Sequence, residues 1–231
     1  TLHRVARTWN DPQSQAVLDT HLQGTFRTAS TAHTVLLGVD WQRQQGKALR
    51  FIGTAPDLDF LAPVYGQPVT PPPDPLADHT QTTRQLGIYV QDQMKIDDRW
   101  VLTLGGRQDR VRQHTDDRLN AATSRQSDSA FSSRAGLSYQ FGNGWAPYVS
   151  YAESFLPNAG VDAGNNPYRP SRGKQVEAGV KFQPPGASML WTAAVFDLRK
   201  TNVVSYDPVT FEGRQIGEQR SRGLELEAKG E

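Results

Sequence analysis

The chain has 231 residues, balances 25 Lys and Arg against 24 Asp and Glu for a formal net charge of +1, and contains no cysteine. Mixed charge spread along the sequence excludes the clustered basic face of a nucleic-acid binder, and missing thiols exclude disulfides, thiolate metal sites and cysteine nucleophiles. A mean hydropathy of −0.61, with no run near the roughly 20 apolar residues of a membrane helix, excludes a helical membrane protein.

The opening Thr1-Leu2-His3-Arg4 lacks the basic segment and apolar run of a signal peptide. The chain is therefore expected either to be cytosolic or to have its targeting segment upstream. Along it, side chains alternate with period two, the mark of strands with one face of each kind. Leu18, Leu22 and Phe26 oppose Asp19, His21 and Gln23. Leu86, Ile88 and Val90 share an apolar face interrupted by Asp92, and Trp100, Leu102 and Leu104 oppose Thr103, Arg107 and Asp109. Phe131, Leu137, Tyr139 and Phe141 oppose Ser132, Arg134 and Gln140, and Val176, Ala178, Val180 and Phe182 oppose Gln175, Glu177 and Lys181. Leu190, Ala194, Phe196 and Leu198 are expected opposite Asp197 and Arg199, with Trp191 on the polar side, and Leu224 and Leu226 oppose Glu225 and Glu227. About ten strands are predicted, at 1–9, 16–28, 32–44, 82–96, 99–112, 129–141, 145–155, 173–183, 188–205 and 219–229.

Short and long connections alternate between them. Tight turns are expected at Ala29–Thr31, Asp97–Asp98, Gly142–Gly144 and Pro184–Ala187, where Gly, Pro, Asn and Asp supply the dihedrals a reversal needs. Longer links are expected near 10–15, 45–81, 113–128, 156–172 and 206–218. That is the plan of an outer-membrane barrel, with brief turns at one rim and long loops at the other. The predicted fold class is all-β, an antiparallel transmembrane barrel. A face charged with Arg107, Asp109, Arg134, Glu177, Lys181, Asp197, Arg199, Glu225 and Glu227 must then be a wet lumen. Trp100, Tyr139, Phe141 and Trp145 cluster beside the short turns as an interfacial girdle does. A soluble β-sandwich is the rival architecture.

Catalytic chemistry has no foothold. His3, His21, His33, His79 and His114 are scattered, with no H-E-x-x-H, G-x-S-x-G or phosphate-loop pattern. Asp97-Asp98 and Asp116-Asp117 read as solvated turns, so no catalytic or metal residue is assigned.

Four segments carry a family resemblance. They are His33-Thr34-Val35-Leu36-Leu37-Gly38-Val39-Asp40; Gly53-Thr54-Ala55-Pro56 with Pro63-Val64-Tyr65-Gly66; Gly87-Ile88-Tyr89-Val90-Gln91-Asp92-Gln93 through Arg99-Trp100 to Gly105-Gly106-Arg107; and Gly217 to Glu227 with its Arg-x-x-Gly-x-Glu core. Tyr148 to Phe155 adds to them. Together they resemble TonB-dependent siderophore receptors, particularly the branch that takes up ferric hydroxamates. The resemblance implies a barrel of about 22 strands around an N-terminal plug. Residues 1–231 are accordingly expected to be an internal part of the barrel, without the plug or either barrel end. It implies outer-membrane localisation, lipid around the barrel, a ferric siderophore as cargo, TonB reached through the plug, and no cofactor of its own. A passive porin-like or structural barrel is the alternative. The family's ligand contacts come from outer loops and upper walls, and the side chains here that match are Tyr65, Phe51, Phe60, Trp9, Trp41, Tyr168 and Tyr206. Tyr65 leads them, because it lies in the segment most like the family's.

Overall fold

A computed structural model describes residues 1–158, 160, 162, 167–207 and 213–230. Their regular structure is ten β-strands: β1 Leu2–Asn10, β2 Gln13–Thr28, β3 Thr31–Leu58, β4 Asp74–Ile96, β5 Trp100–Asp117, β6 Ala122–Tyr139, β7 Trp145–Leu156, β8 Ser171–Phe182, β9 Leu190–Tyr206 and β10 Gly213–Lys229. They form one sheet in the order β1-β3-β4-β5-β6-β7-β8-β9-β10, with β2 also on β3. The pairings of β1 with β3, β6 with β7, β7 with β8, β8 with β9 and β9 with β10 are antiparallel.

By contacts the chain divides into two compact units: Thr1–Leu18, Trp41–Gln85 and Val111–Ser127 form the first, and Asp19–Asp40, Leu86–Arg110 and Asp128–Glu231 the second. In the first unit, β1 lies along the outer half of β3, with Arg4 opposite Ala55 and Asn10 opposite Leu49. Pro12 continues that line, its carbonyl accepting the Lys47 N–H at 3.0 Å. The link predicted at 10–15 is therefore only Asp11-Pro12, an interruption where proline brings no N–H to the ladder. The other long links also shrink. Residues 45–58 and 74–81 are strand, leaving a connection of 59–73, and the loop expected at 113–128 is a turn at 118–121 between β5 and β6. At the loop expected at 156–172, β7 includes Leu156 and β8 begins at Ser171, and residues 159, 161 and 163–166 lie outside the described residues. The link expected at 206–218 is strand from Gly213, and residues 208–212 lie outside the described residues.

The second unit holds all four short turns where they were expected. Asp97 and Asp98 have φ of 49° and 55°, the pair of left-handed residues that fits a hairpin to the strand twist. Its faces can be read from register, because residues paired across neighbouring strands share a side. On one side run Trp145, Phe182 and Trp191; then Pro147, Val180, Ala193 and Leu226; then Leu137, Val149, Ala178, Val195 and Leu224. These apolar side chains are largely exposed. Trp145 and Phe182 stack at 4.3 Å, and Tyr139 meets Trp100 and Phe141 edge-on at 4.7 Å each, so the aromatic cluster beside the turns exists as predicted.

The opposite side carries Ser138, Tyr148, Gly179, Ala194 and Glu225, then Gly136, Ser150, Glu177, Phe196 and Gly223. This corrects the parity expected for β9. Phe196 and Leu198 are on the polar side, whereas Trp191, Val195, Asp197 and Arg199 are on the apolar one. The Phe196 ring lies over Gly223, where a Cβ would come within 2.8 Å of it. Asp197, one rung beyond Val195, is neutralised by Arg220 and by the Arg222 Nε at 3.2 Å.

Candidate functional site

On the polar side of the second unit the alternation of β5 brings Arg107 and Asp109 two residues apart onto one face. Arg107 donates through Nε to Asp109 at 2.8 Å and through Nη2 to Asp109 at 2.7 Å and Asp40 at 3.0 Å; its Nη1 also contacts Asp40. Reaching from β5 over β4 to β3 requires an empty lane. Gly87 supplies it, because a Cβ there would collide with the guanidinium. Gly38 likewise makes room for the Tyr89 ring, whose hydroxyl donates to Asp19 at 3.3 Å. A recess of about 400 Å³, lined in part by Asp19, Tyr89, Gly105, Arg107, Ser132 and Arg134, opens beside this cluster. The alternation predicted the face for Arg107 and Asp109, but not that Asp40 and two glycines complete the site. Those partners lie 67 and 20 residues away in sequence.

Farther along the same face, Glu177 accepts the Tyr148 hydroxyl at 2.6 Å and the Gln175 amide at 2.9 Å, while Lys181 lies 5.5 Å over the Tyr148 ring. Register adds Glu225 opposite Ala194 and Glu227 opposite Thr192. Lys229 pairs with Glu227 at 3.1 Å, and Glu177 and Glu225 outweigh Lys181, so this stretch of wall has a small acidic excess.

The aromatic candidates are divided between the two units. In the first unit Trp9 lies beneath Arg50, whose guanidinium carbon is 4.8 Å from the ring centre and which chelates Asp11 at 2.6 and 2.9 Å. That hydrogen-bonded ion pair holds the Asp11 carboxyl below its ordinary range. Phe51, half-buried, pairs with Thr8. Phe60 and Tyr65 project from the 59–73 connection, 78% and 76% exposed. Asp59 Oδ1 shapes the bend before them by accepting the Leu61 and Ala62 amides at 2.8 and 3.3 Å. Trp41 shares the β3 parity of Leu37 and Val39, the exposed apolar row, and so is turned away from the face of Asp40. In the second unit Tyr206 is 63% exposed, but Tyr168 is only 4% exposed and supports its neighbours instead of presenting a ring.

The sheet, its two-faced wall and its alternating connections match a known architecture. Residues 3–231 fit the model of the family described as TonB dependent receptor-like, beta-barrel. The chain belongs to the TonB-dependent receptor β-barrel family. It is 39% identical over 221 residues to the ferrioxamine B receptor of Salmonella typhimurium strain LT2, an alignment covering 94% of this chain and 31% of that protein. It is 38% identical over 220 residues to the ferrichrome outer membrane transporter/phage receptor of Escherichia coli K12, covering 92% of this chain and 29% of that one. The chain thus spans somewhat less than a third of the length of these relatives. Among solved structures, the ferric-catecholate import receptor Fiu of Escherichia coli K12 matches with a TM-score of 0.74 at 22% identity, over 94% of this chain and 35% of that one. The siderophore receptor PiuA of Acinetobacter baumannii matches with a TM-score of 0.75 at 21% identity, over 96% and 36%. The TonB-dependent receptor barrel is an outer-membrane structure; its polar face is the lumen wall and its apolar face the outer wall.

Proposed function

We propose that this chain is part of the barrel of an outer-membrane receptor that imports a ferric hydroxamate siderophore with energy delivered through TonB. The observation that carries this reading is the match, at 38–39% identity over more than nine-tenths of the chain, to receptors named for ferrioxamine B and ferrichrome. The physical features agree with it. The apolar outer wall meets lipid, and Asp197 on that wall is paired with Arg220 and Arg222. The acidic lumen stretch around Glu177 and Glu225 suits a basic surface on a plug, a pairing that keeps the passage closed until the plug is moved. Exposed Phe60 and Tyr65 on a connection stiffened by Pro63, Pro68, Pro71, Pro72 and Pro73 offer apolar contact at reduced ordering cost. Iron in this reading is cargo that arrives within its chelator.

The test is growth. Cells lacking other hydroxamate receptors but carrying the complete receptor should grow under iron limitation when ferrioxamine B or ferrichrome is the iron source. Failure on both, with the receptor folded in the outer membrane, would reject a hydroxamate cargo.

A further inference from the structure

At the outer ends of β7 to β10, side chains from three separate segments converge on one main-chain carbonyl of β9. Asn202 interrupts β9. Its φ is 55°, and the pairing with β10 passes from Val203–Ile216 to Thr201–Glu218, leaving Asn202 outside the ladder. Its carbonyl accepts Asn158 Nδ2 at 3.0 Å, Ser171 Oγ at 3.0 Å and Gln215 Nε2 at 2.9 Å. Asn158 Nδ2 also donates to the Arg169 carbonyl at 2.7 Å, and Asn202 Nδ2 to the Pro170 carbonyl at 3.0 Å. Gln215 brackets Arg169, accepting its N–H at 2.9 Å and donating to its carbonyl at 2.6 Å.

These bonds immobilise Arg169, Pro170 and Ser171, the residues directly after Tyr168. Tyr168 is thereby held as a floor: its N–H donates to the Gly160 carbonyl at 3.2 Å, and a Cβ on Gly213 would strike its hydroxyl. The same Cβ would lie 3.1 Å from the Tyr206 ring, and Gly213 is the register partner of Tyr206. The exposed Tyr206 therefore rests beside a buried tyrosine fixed by a network of uncharged amides. Networks whose members are all satisfied specify one geometry, and a contact held in place before binding spares its ordering cost.

We propose that Asn158, Ser171, Asn202 and Gln215 are positioning residues that set Tyr206, through Tyr168, as a cargo-contacting aromatic at the mouth of the barrel. This rests on the siderophore-receptor reading above. The experiment is equilibrium titration of the complete receptor with ferrioxamine B, alongside uptake kinetics in cells. Gln215→Ala and Gly213→Ala should each weaken binding about tenfold. Both should raise the concentration for half-maximal uptake and leave the maximal rate unchanged. Asn202→Gly, which tolerates the left-handed backbone but gives up the amide donated to the Pro170 carbonyl, should weaken binding less than Asn202→Ala, which loses that bond and strains the backbone as well. Tyr206→Ala should lose as much as Gln215→Ala, and the double variant no more than either, since the two act through one contact. If Gln215→Ala lowers the yield of folded receptor, Gln215→Glu, which keeps the acceptor for Arg169, replaces it. Unchanged affinity in the single variants, or losses that add in the double variant, would overturn the proposal. A wild-type receptor that binds no ferric hydroxamate would instead reject the cargo reading, and this proposal with it.

Discussion

Val149 and Ser150 are adjacent on β7 but face opposite sides of the wall, which makes them a direct probe of the two-faced sheet. Val149 pairs with Leu137 and Ala178 on the apolar side, and Ser150 with Gly136 and Glu177 on the polar side. Val149 is four residues from Trp145 in the aromatic row. At about 3.3 Å per residue that is about 13 Å along the strand, and a strand tilt near 40° reduces it to about 10 Å of depth. An apolar band about 25 Å tall then places Val149 close to the midplane, where a lipid-facing Arg costs about 2–4 kcal/mol. Ser150→Arg adds the same side chain at the same depth, but into the lumen beside the Glu177 carboxylate, and should cost much less. Guanidinium titration of the complete receptor in lipid vesicles, followed by tryptophan fluorescence, measures both. Equal costs, or a larger cost for Ser150→Arg, would refute the assignment of faces.

Gly87→Ala should displace Arg107 from Asp40 and leave buried Asp109 poorly paired, a loss of about 3–5 kcal/mol if the cluster cannot relax; the same titration checks it, and Gly24→Ala, with open space around it, serves as the mild control. The Asp11–Arg50 pair should respond to acid in a defined direction. Because the Asp11 pKa is depressed in the fold, its contribution is present above the unfolded value near 4 and fades as pH falls through the lower folded value. Proteolysis around residues 9–13 should therefore accelerate below about pH 4, and Asp11→Asn should abolish that dependence. Tyr65→Ala should weaken ferric-siderophore binding by about 1 kcal/mol or more if the ring becomes a buried anchor in the complex; equilibrium titration showing unchanged affinity removes Tyr65 from the site.

What the sequence revealed tracks where the membrane constrains it. In β8 the run Val176, Ala178, Val180, Phe182 has one apolar parity, and its face was legible at once. β9 has apolar residues on both parities, because the lumen tolerates Phe196 where Gly223 leaves space for its ring. Local alternation could not choose between Phe196 and Val195; only cross-strand register does. The outer parts of β3 to β6 were mistaken for loops for a related reason. β3 has 28 residues, far more than the 9–11 that cross a bilayer, and beyond the lipid both faces are wet, so the alternation that identifies a strand disappears. Pro12 imitated a loop signal on one side of it, while the proline-rich stretch on the other lies in the true 59–73 connection. Of the candidate site, Tyr65 and Phe60 are exposed loop aromatics, while the direction of Trp41 is set by its parity on β3, which proximity to a loop does not reveal. The Asn158–Ser171–Asn202–Gln215 network left no local trace, since its bonded members are 13 to 44 residues apart along the chain and are ordinary polar residues individually.

The central claim is energised import through this barrel, and its most direct measurement is accumulation of iron-labelled ferrioxamine B by cells carrying the complete receptor, with and without TonB. Binding to the cell surface should be the same in both, and accumulation should occur only where TonB is present. Equal accumulation in the two strains would contradict the account and identify the barrel as a passive pore.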